Sequence, residues 1–88
     1  MEFEWDKQKA ESNWQKHRVR FRDAVTVLRL DEMAITTLDE HPEEERYVTI
    51  GMSAIGQLLA VVYTYRGNSI RIISARKATK TETAIYLE

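Results

Sequence analysis

The chain has 88 residues, 43% hydrophobic and 31% charged, with a net charge of −1, three glycines, one proline and no cysteine. That is room for one domain, residues 1–88, and one modest core, since a chain this short buries about 60% of its unfolded surface. The composition excludes a disordered linker, a disulfide scaffold, a thiolate zinc site and a cysteine nucleophile. No apolar run approaches the ~20 residues of a membrane span. Met1 to Asp6 carries three acids and no basic residue, unlike a signal peptide, so a reducing cytoplasm is the expected location.

The near-zero net charge hides a partition. Residues 24–45 hold one cation, Arg29, against seven acids, whereas residues 46–88 hold six cations against two acids. A local basic site for an anion is compatible with this balance; a nonspecific nucleic-acid binder is not.

In chain order, Phe3-Glu4-Trp5 alternates and predicts a short opening strand, and Asp6 is placed to cap a helix. Ala10, Trp14 and His17 share one face of that helix, with Trp14 and Trp5 expected in the core. Phe21, Ala24, Val25 and Leu28 predict a second helix. Ala34 to Leu38 reads as a strand and Asp39 to Glu45, around Pro42, as an acidic loop. From Arg46 the period becomes two: Tyr47 to Met52 is a strand, Ser53 to Gly56 a turn, and Gln57 to Tyr65 a central strand covered on both faces. Gly67-Asn68 marks a two-residue hairpin, and Ser69 to Ala75 returns as its partner strand. Thr79-x-x-Glu82 has the capping-box form before a last helix with Ala84, Ile85 and Leu87. The order β-α-α-β-β-β-β-α is α+β: helices packed on a largely antiparallel sheet.

The hairpin fixes usable geometry. A two-residue turn sets Arg66 opposite Ser69, Thr64 opposite Arg71 and Val62 opposite Ile73. Arg66 and Arg71 are then diagonal neighbours on one face. Two adjacent guanidinium groups call either for an anion such as phosphate between them or for carboxylates from the 39–45 loop. Arg76, Lys77 and Lys80 cluster where the last strand enters the last helix, a second place for an anion. Tyr63 and Tyr65 fall on the opposite face from Arg71, either stacking on a base or filling the sheet. His17 and His41 are the only histidines and can act as acid or base near neutral pH. Neither has a second ligand at metal-binding spacing. Lys16, His17, Arg18, Arg20 and Arg22 form a further basic segment: a phosphate-contacting rim or a solvated helix junction. No Walker loop, GxGxxG, GxSxG or HExxH occurs.

Five blocks together resemble the BrnT family, the toxin half of a bacterial type II toxin–antitoxin pair. They are Phe3-Glu4-Trp5-Asp6; Asn13-x-x-Lys16-His17-x-Val19-x-Phe21-x-x-Ala24; Glu44-Glu45-Arg46-Tyr47-Val48-x-Ile50-Gly51; Leu59-x-Val61-Val62-Tyr63-Thr64-x-Arg66-Gly67; and Ile70-Arg71-Ile72-Ile73-Ser74-Ala75-Arg76-Lys77-Ala78-Thr79. The resemblance implies a small RelE-like fold and a metal-independent endoribonuclease, without cofactor, that lowers translation by cutting RNA. It also implies a BrnA-like antitoxin that neutralises the toxin in a hetero-oligomer and supplies the operator-DNA binding by which the pair represses its operon. Two positions depart from the family pattern. Arg18 stands where glycine usually follows Lys-His, and Arg20 where a small or acidic residue often precedes the Phe. The turn between the first two helices is therefore expected to differ, the extra cations strengthening RNA contact or altering the partner surface.

Matched to the motifs, the charged positions are Lys16, His17, Glu45, Arg46, Arg66, Arg71, Arg76 and Lys77. Cleavage without metal needs a base for the 2′-hydroxyl, cations for the phosphorane-like transition state and an acid for the leaving 5′-oxygen. Arg71 and Arg76 are assigned to the phosphate, with Arg66 or Arg46 assisting. His17, then Glu45 or Tyr63, is assigned to proton transfer. Lys16, Lys77, Lys80 and Tyr63 complete the RNA contacts. The rival readings are a non-catalytic module acting through a partner protein, and a structural protein whose arginines are all paired with the acidic loop.

Overall fold

The computed structural model describes residues Met1–Glu88 in eight elements: β1 (Glu2–Glu4), α1 (Lys7–His17), α2 (Phe21–Leu30), β2 (Ile35–Asp39), β3 (Arg46–Met52), β4 (Leu58–Arg66), β5 (Ser69–Lys77) and α3 (Lys80–Leu87). Type and order match the α+β expectation; several ends shift by one or two residues. The five strands form one sheet in the order β1-β5-β4-β3-β2. β1 runs parallel to β5 and every other pair is antiparallel, so the sheet is mixed.

α2 explains which face is inside. Phe21, Ala24 and Val27 recur at i, i+3 and i+6, and all three are buried against the sheet. On the strands, Leu59, Val61, Tyr63, Ile70, Ile72 and Ala75 meet them, with Val19 closing the cluster. Each fully buried Leu, Ile or Val here contributes about 1.5–3 kcal/mol relative to exposure. Gly51 lets α2 approach β3: a Cβ there would sit 2.7 Å from Val27 Cγ1. Asp6 caps α1, accepting from the backbone N–H of Gln8 at 2.7 Å and of Lys9 at 3.3 Å.

Two expectations are corrected. Val62 stands opposite Ser74, not Ile73, because a β-bulge between Val62 and Tyr63 leaves Ile73 unpaired. The hairpin register set at Arg66–Ser69 therefore holds only to Tyr63–Ile72. The tryptophans are also not core anchors: Trp5 is 36% exposed and Trp14 half-buried, because the cluster under α1 and α2 is filled by smaller side chains.

α3 is held differently from the other helices. None of its residues is buried. Its start is fixed by the capping box of Thr79 and Glu82, and its end by Tyr86, whose hydroxyl donates to Asp31 Oδ2 at 2.7 Å. No helix is long and apolar enough to cross a membrane.

Candidate active site

The sheet face away from α1 and α2 carries the arginines. Alternation along β3, β4 and β5 puts Arg46, Thr64, Arg66, Ser69, Arg71 and Arg76 on that side, because Tyr47, Tyr63, Tyr65, Ile70 and Ile72 point into or beside the core. One row crosses the whole sheet. Asp39 pairs with Arg46 on β3, Thr64 pairs with Arg71, and Arg71 pairs with Glu4 on β1. Arg46 and Thr64 are next in the β3–β4 register after Tyr47 and Tyr63, so the row reads Asp39, Arg46, Thr64, Arg71, Glu4. Arg46 and Arg71 thus flank Thr64 with backbones about 10 Å apart, two strand spacings. Thr64 is buried, and its hydroxyl donates to the Glu45 carbonyl at 2.7 Å, pinning the end of the acidic loop to this row.

Arg66 joins the row from the hairpin end, diagonal to Arg71 as the turn geometry requires. Gly67 takes φ +59° at the first turn position, a conformation glycine adopts without strain. Arg76 does not join it. It pairs with Ala60, four residues along β4 from Thr64, or about 13 Å. Lys77 pairs with Leu59 and so belongs to the helix-covered face, and Lys80 is exposed at the start of α3.

Each of the four arginines already holds a carboxylate. Arg71 Nη1 donates to Glu4 Oε2 at 2.7 Å. Glu44 lies between two of them, 3.3 Å from Arg46 Nε and 3.8 Å from Arg66 Nη2. Arg76 grips Glu82 with both terminal nitrogens, at 2.7 and 3.0 Å. Only Glu44 comes from the 39–45 loop, so the loop accounts for two arginines and not for Arg71 or Arg76. The Arg76 guanidinium, opposed in part by burial and helped by the Thr79 N–H, holds the Glu82 carboxyl at about 2. That carboxylate fills the place the sequence offers to an external anion at the start of α3. Arg71 is freer: one of its five donors is used, and the rest are available to a phosphate.

Lys16 and His17 occupy the last turn of α1 and line a shallow groove with Ile73 and Ser74, the bulge residues that lie between Arg71 and Arg76 along β5. The bulge thus brings the end of α1 to the edge of the arginine face. Glu45 is exposed and anchored through its own carbonyl. Tyr63 faces the other side. It is 4% exposed, its hydroxyl is 2.9 Å from Thr49 Oγ1, and it stacks on Tyr47 at 5.8 Å. His41 Nδ1 accepts from the Glu43 N–H at 3.2 Å within its own loop.

The sequence predicts a capping-box role for Glu82 and a loop carboxylate such as Glu44 for an arginine, but assigns nothing to Glu4, whose partner depends on the parallel pairing of the chain's first strand with its last.

Arginines on an open sheet face, beside a lysine–histidine helix end, suit an anionic polymer. A search of solved structures gives, with TM-score 0.67 and 24% identity, the crystal structure of the Brucella abortus ribonuclease toxin BrnT, over 91% of this chain and 99% of that one. This establishes a shared fold. A comparison with curated proteins gives no match. The sequence model described as "Ribonuclease toxin, BrnT, of type II toxin-antitoxin system" matches residues 5–82, which take in every arginine of the open face and the whole α1–β5 groove. The chain belongs to the BrnT family of type II toxin–antitoxin ribonuclease toxins.

Proposed function

We propose that this protein is a metal-independent endoribonuclease whose scissile phosphate sits on the open sheet face over Thr64. Membership of the family carries RNA as target and an antitoxin protein as partner. The observation supporting the site is the transverse row, in which Arg46 and Arg71 flank one buried threonine while Arg66 stands diagonal to Arg71. The 2′-oxygen attacks phosphorus, the 5′-oxygen leaves, and a 2′,3′-cyclic phosphate remains. Arg71, with Arg46 and Arg66, stabilises the charge gathered on the phosphoryl oxygens; one such contact is worth about 3 kcal/mol of barrier, roughly a hundredfold in rate. His17, at the groove beside Ser74, is assigned to proton transfer, with Glu45 the second candidate. Lys16 holds a phosphate further along the RNA, Arg76 does so only on releasing Glu82, and Lys77 and Lys80 extend the positive field. Tyr63 has no place in this scheme, being buried on the other face.

A BrnA-like antitoxin neutralises the enzyme and, with it, represses their operon. The acidic 31–45 segment suits a basic partner, and β2 offers an exposed strand with only β3 beside it. The carboxylate on each of the four sheet-face arginines favours one other reading, a non-catalytic module that works only through this partner. The substrate decides between them. An RNA oligonucleotide incubated in excess EDTA yields 2′,3′-cyclic phosphate ends under the first reading, and its 2′-deoxy counterpart stays intact. Intact RNA with free protein and with ribosomes present supports the second.

A further inference from the structure

The helix side of the molecule carries a second group of cations that the sheet face does not use. Trp5, Trp14 and Phe21 wall a cleft between the start of α1 and α2, and Lys7, Arg20 and Arg22 stand around it beside one acid, Glu11. The Arg20 guanidinium lies 3.9 Å from the centre of the Trp14 ring, and that of Arg18 lies 5.4 Å away.

Three features set this cleft apart from the sheet face. All the ion pairs of the chain belong to Arg46, Arg66, Arg71 and Arg76; Lys7, Arg18, Arg20 and Arg22 have no carboxylate within 4.0 Å. Two of them occupy backbone positions that disfavour arginine. Arg18 ends α1 in the left-handed region, at φ 56° and ψ 36°, where glycine is the ordinary residue. Arg20 is the N-cap of α2 and makes no side-chain capping bond, where Ser, Thr, Asp or Asn is preferred. Local helix stability therefore does not account for either. Third, Trp5 is 36% exposed and meets Phe21 edge-on, with ring centres 6.0 Å apart. Residues that break a local rule and converge on one exposed aromatic cleft point to a ligand.

We propose that this cleft is a second contact for single-stranded RNA, stacking a base on Trp5 and holding the neighbouring phosphates on Arg18, Arg20 and Arg22. The proposal rests on RNA being the substrate. The two sites adjoin. Glu4, which pairs with Arg71 on the open face, is the chain neighbour of Trp5, so an RNA strand leaving Arg71 around the β1 edge arrives at the cleft. Phosphates bind here without displacing a carboxylate, so the cleft captures RNA and the sheet face acts on it.

Both tryptophans of the chain line this cleft and none of its four tyrosines does, so fluorescence excited beyond the tyrosine absorption band reports on it alone. The experiment titrates the protein with a 2′-O-methyl RNA octamer, which cannot be cleaved through its 2′-oxygen. The expected result is quenching that the Arg20→Glu, Arg22→Glu double variant loses, and at least about fivefold weaker binding of a labelled octamer by Trp5→Ala. Arg22→Glu alone, at an exposed position outside the ring contacts, covers the case in which the double variant fails to fold; it is expected to weaken quenching as well. Absence of quenching in the wild type, or quenching indifferent to Arg22→Glu, overturns the proposal while leaving any Arg71-dependent cleavage standing. Quenching by an antitoxin protein and not by RNA overturns it in favour of protein docking. Quenching of the expected kind in a protein that cleaves nothing keeps the cleft and refutes the active site instead.

Discussion

Asn13 and Ala75 are joined by two reciprocal hydrogen bonds. The Asn13 Oδ1 accepts from the Ala75 N–H at 3.1 Å, and its Nδ2 donates to the Ala75 carbonyl at 2.8 Å and to the Val19 carbonyl at 3.0 Å. β1 pairs with β5 only over Ser69 to Arg71, so beyond that point a side chain does for β5 what a neighbouring strand would do. It also ties α1 to the strand that carries Arg71 and Arg76. Asn13→Ala removes the partner of the Ala75 N–H and of the Ala75 and Val19 carbonyls and is expected to cost about 3 kcal/mol, read as a lower urea midpoint at unchanged slope. At temperatures where the variant is folded, activity is expected to fall as well, because Lys16 and His17 lose their fixed position at the bulge.

Arg18 carries a backbone cost that glycine would not. Arg18→Gly is expected to stabilise the protein by about 1 kcal/mol, a rise of roughly 4–8 °C in Tm for a domain of this size. The stack on Trp14 survives, since Arg20 is the nearer guanidinium. A thermal melt that shows no gain contradicts the left-handed assignment of this residue.

Glu82 titrates far below its ordinary 4.5, at about 2, mainly through Arg76. A carboxyl lowered in the folded state contributes stability that is complete above the unfolded value and lost as pH falls through the folded one. The contribution of Glu82 is therefore expected to fade between pH 4.5 and about 2. Glu82→Gln keeps the capping-box pattern and removes the charge. Its stability is expected to match the wild type at pH 2 and to lag behind it increasingly up to pH 4.5, in denaturant titrations at each pH.

Glu4 competes with substrate for Arg71. Its carboxylate is partly exposed, at 43%, so the pair is worth at most about 1 kcal/mol. Glu4→Gln is expected to raise affinity for a non-cleavable RNA by up to about fivefold, measured by anisotropy. Weaker binding would mean that Glu4 holds Arg71 in its productive position.

The fold was legible where one period dominated. The i, i+3, i+4 spacing of α2, the Gly67-Asn68 turn and the Thr79-x-x-Glu82 box each name their structure through local chemistry. The arginine pair at Arg66 and Arg71 followed from the turn alone. Three features were beyond local reading. The bulge at Ile73 moves the register of the far half of β5, and no glycine marks it. The parallel seat of β1 pairs the first residues with the last strand, which decides where Glu4 goes. Trp5 and Trp14 look like core residues by type, yet Trp14 is half-buried under the guanidinium groups of Arg18 and Arg20. The departures at Arg18 and Arg20 were visible in sequence, but their convergence on Trp14 needed the helix junction itself.

The most direct test compares wild type with Arg71→Ala on RNA in excess EDTA. Arg71 is partly exposed and outside the core, so the variant is expected to fold, which circular dichroism checks. Cleavage by the wild type and a loss of roughly a hundredfold in the variant is the predicted result. Equal cleavage by both proteins would contradict the placement of the scissile phosphate on this sheet face.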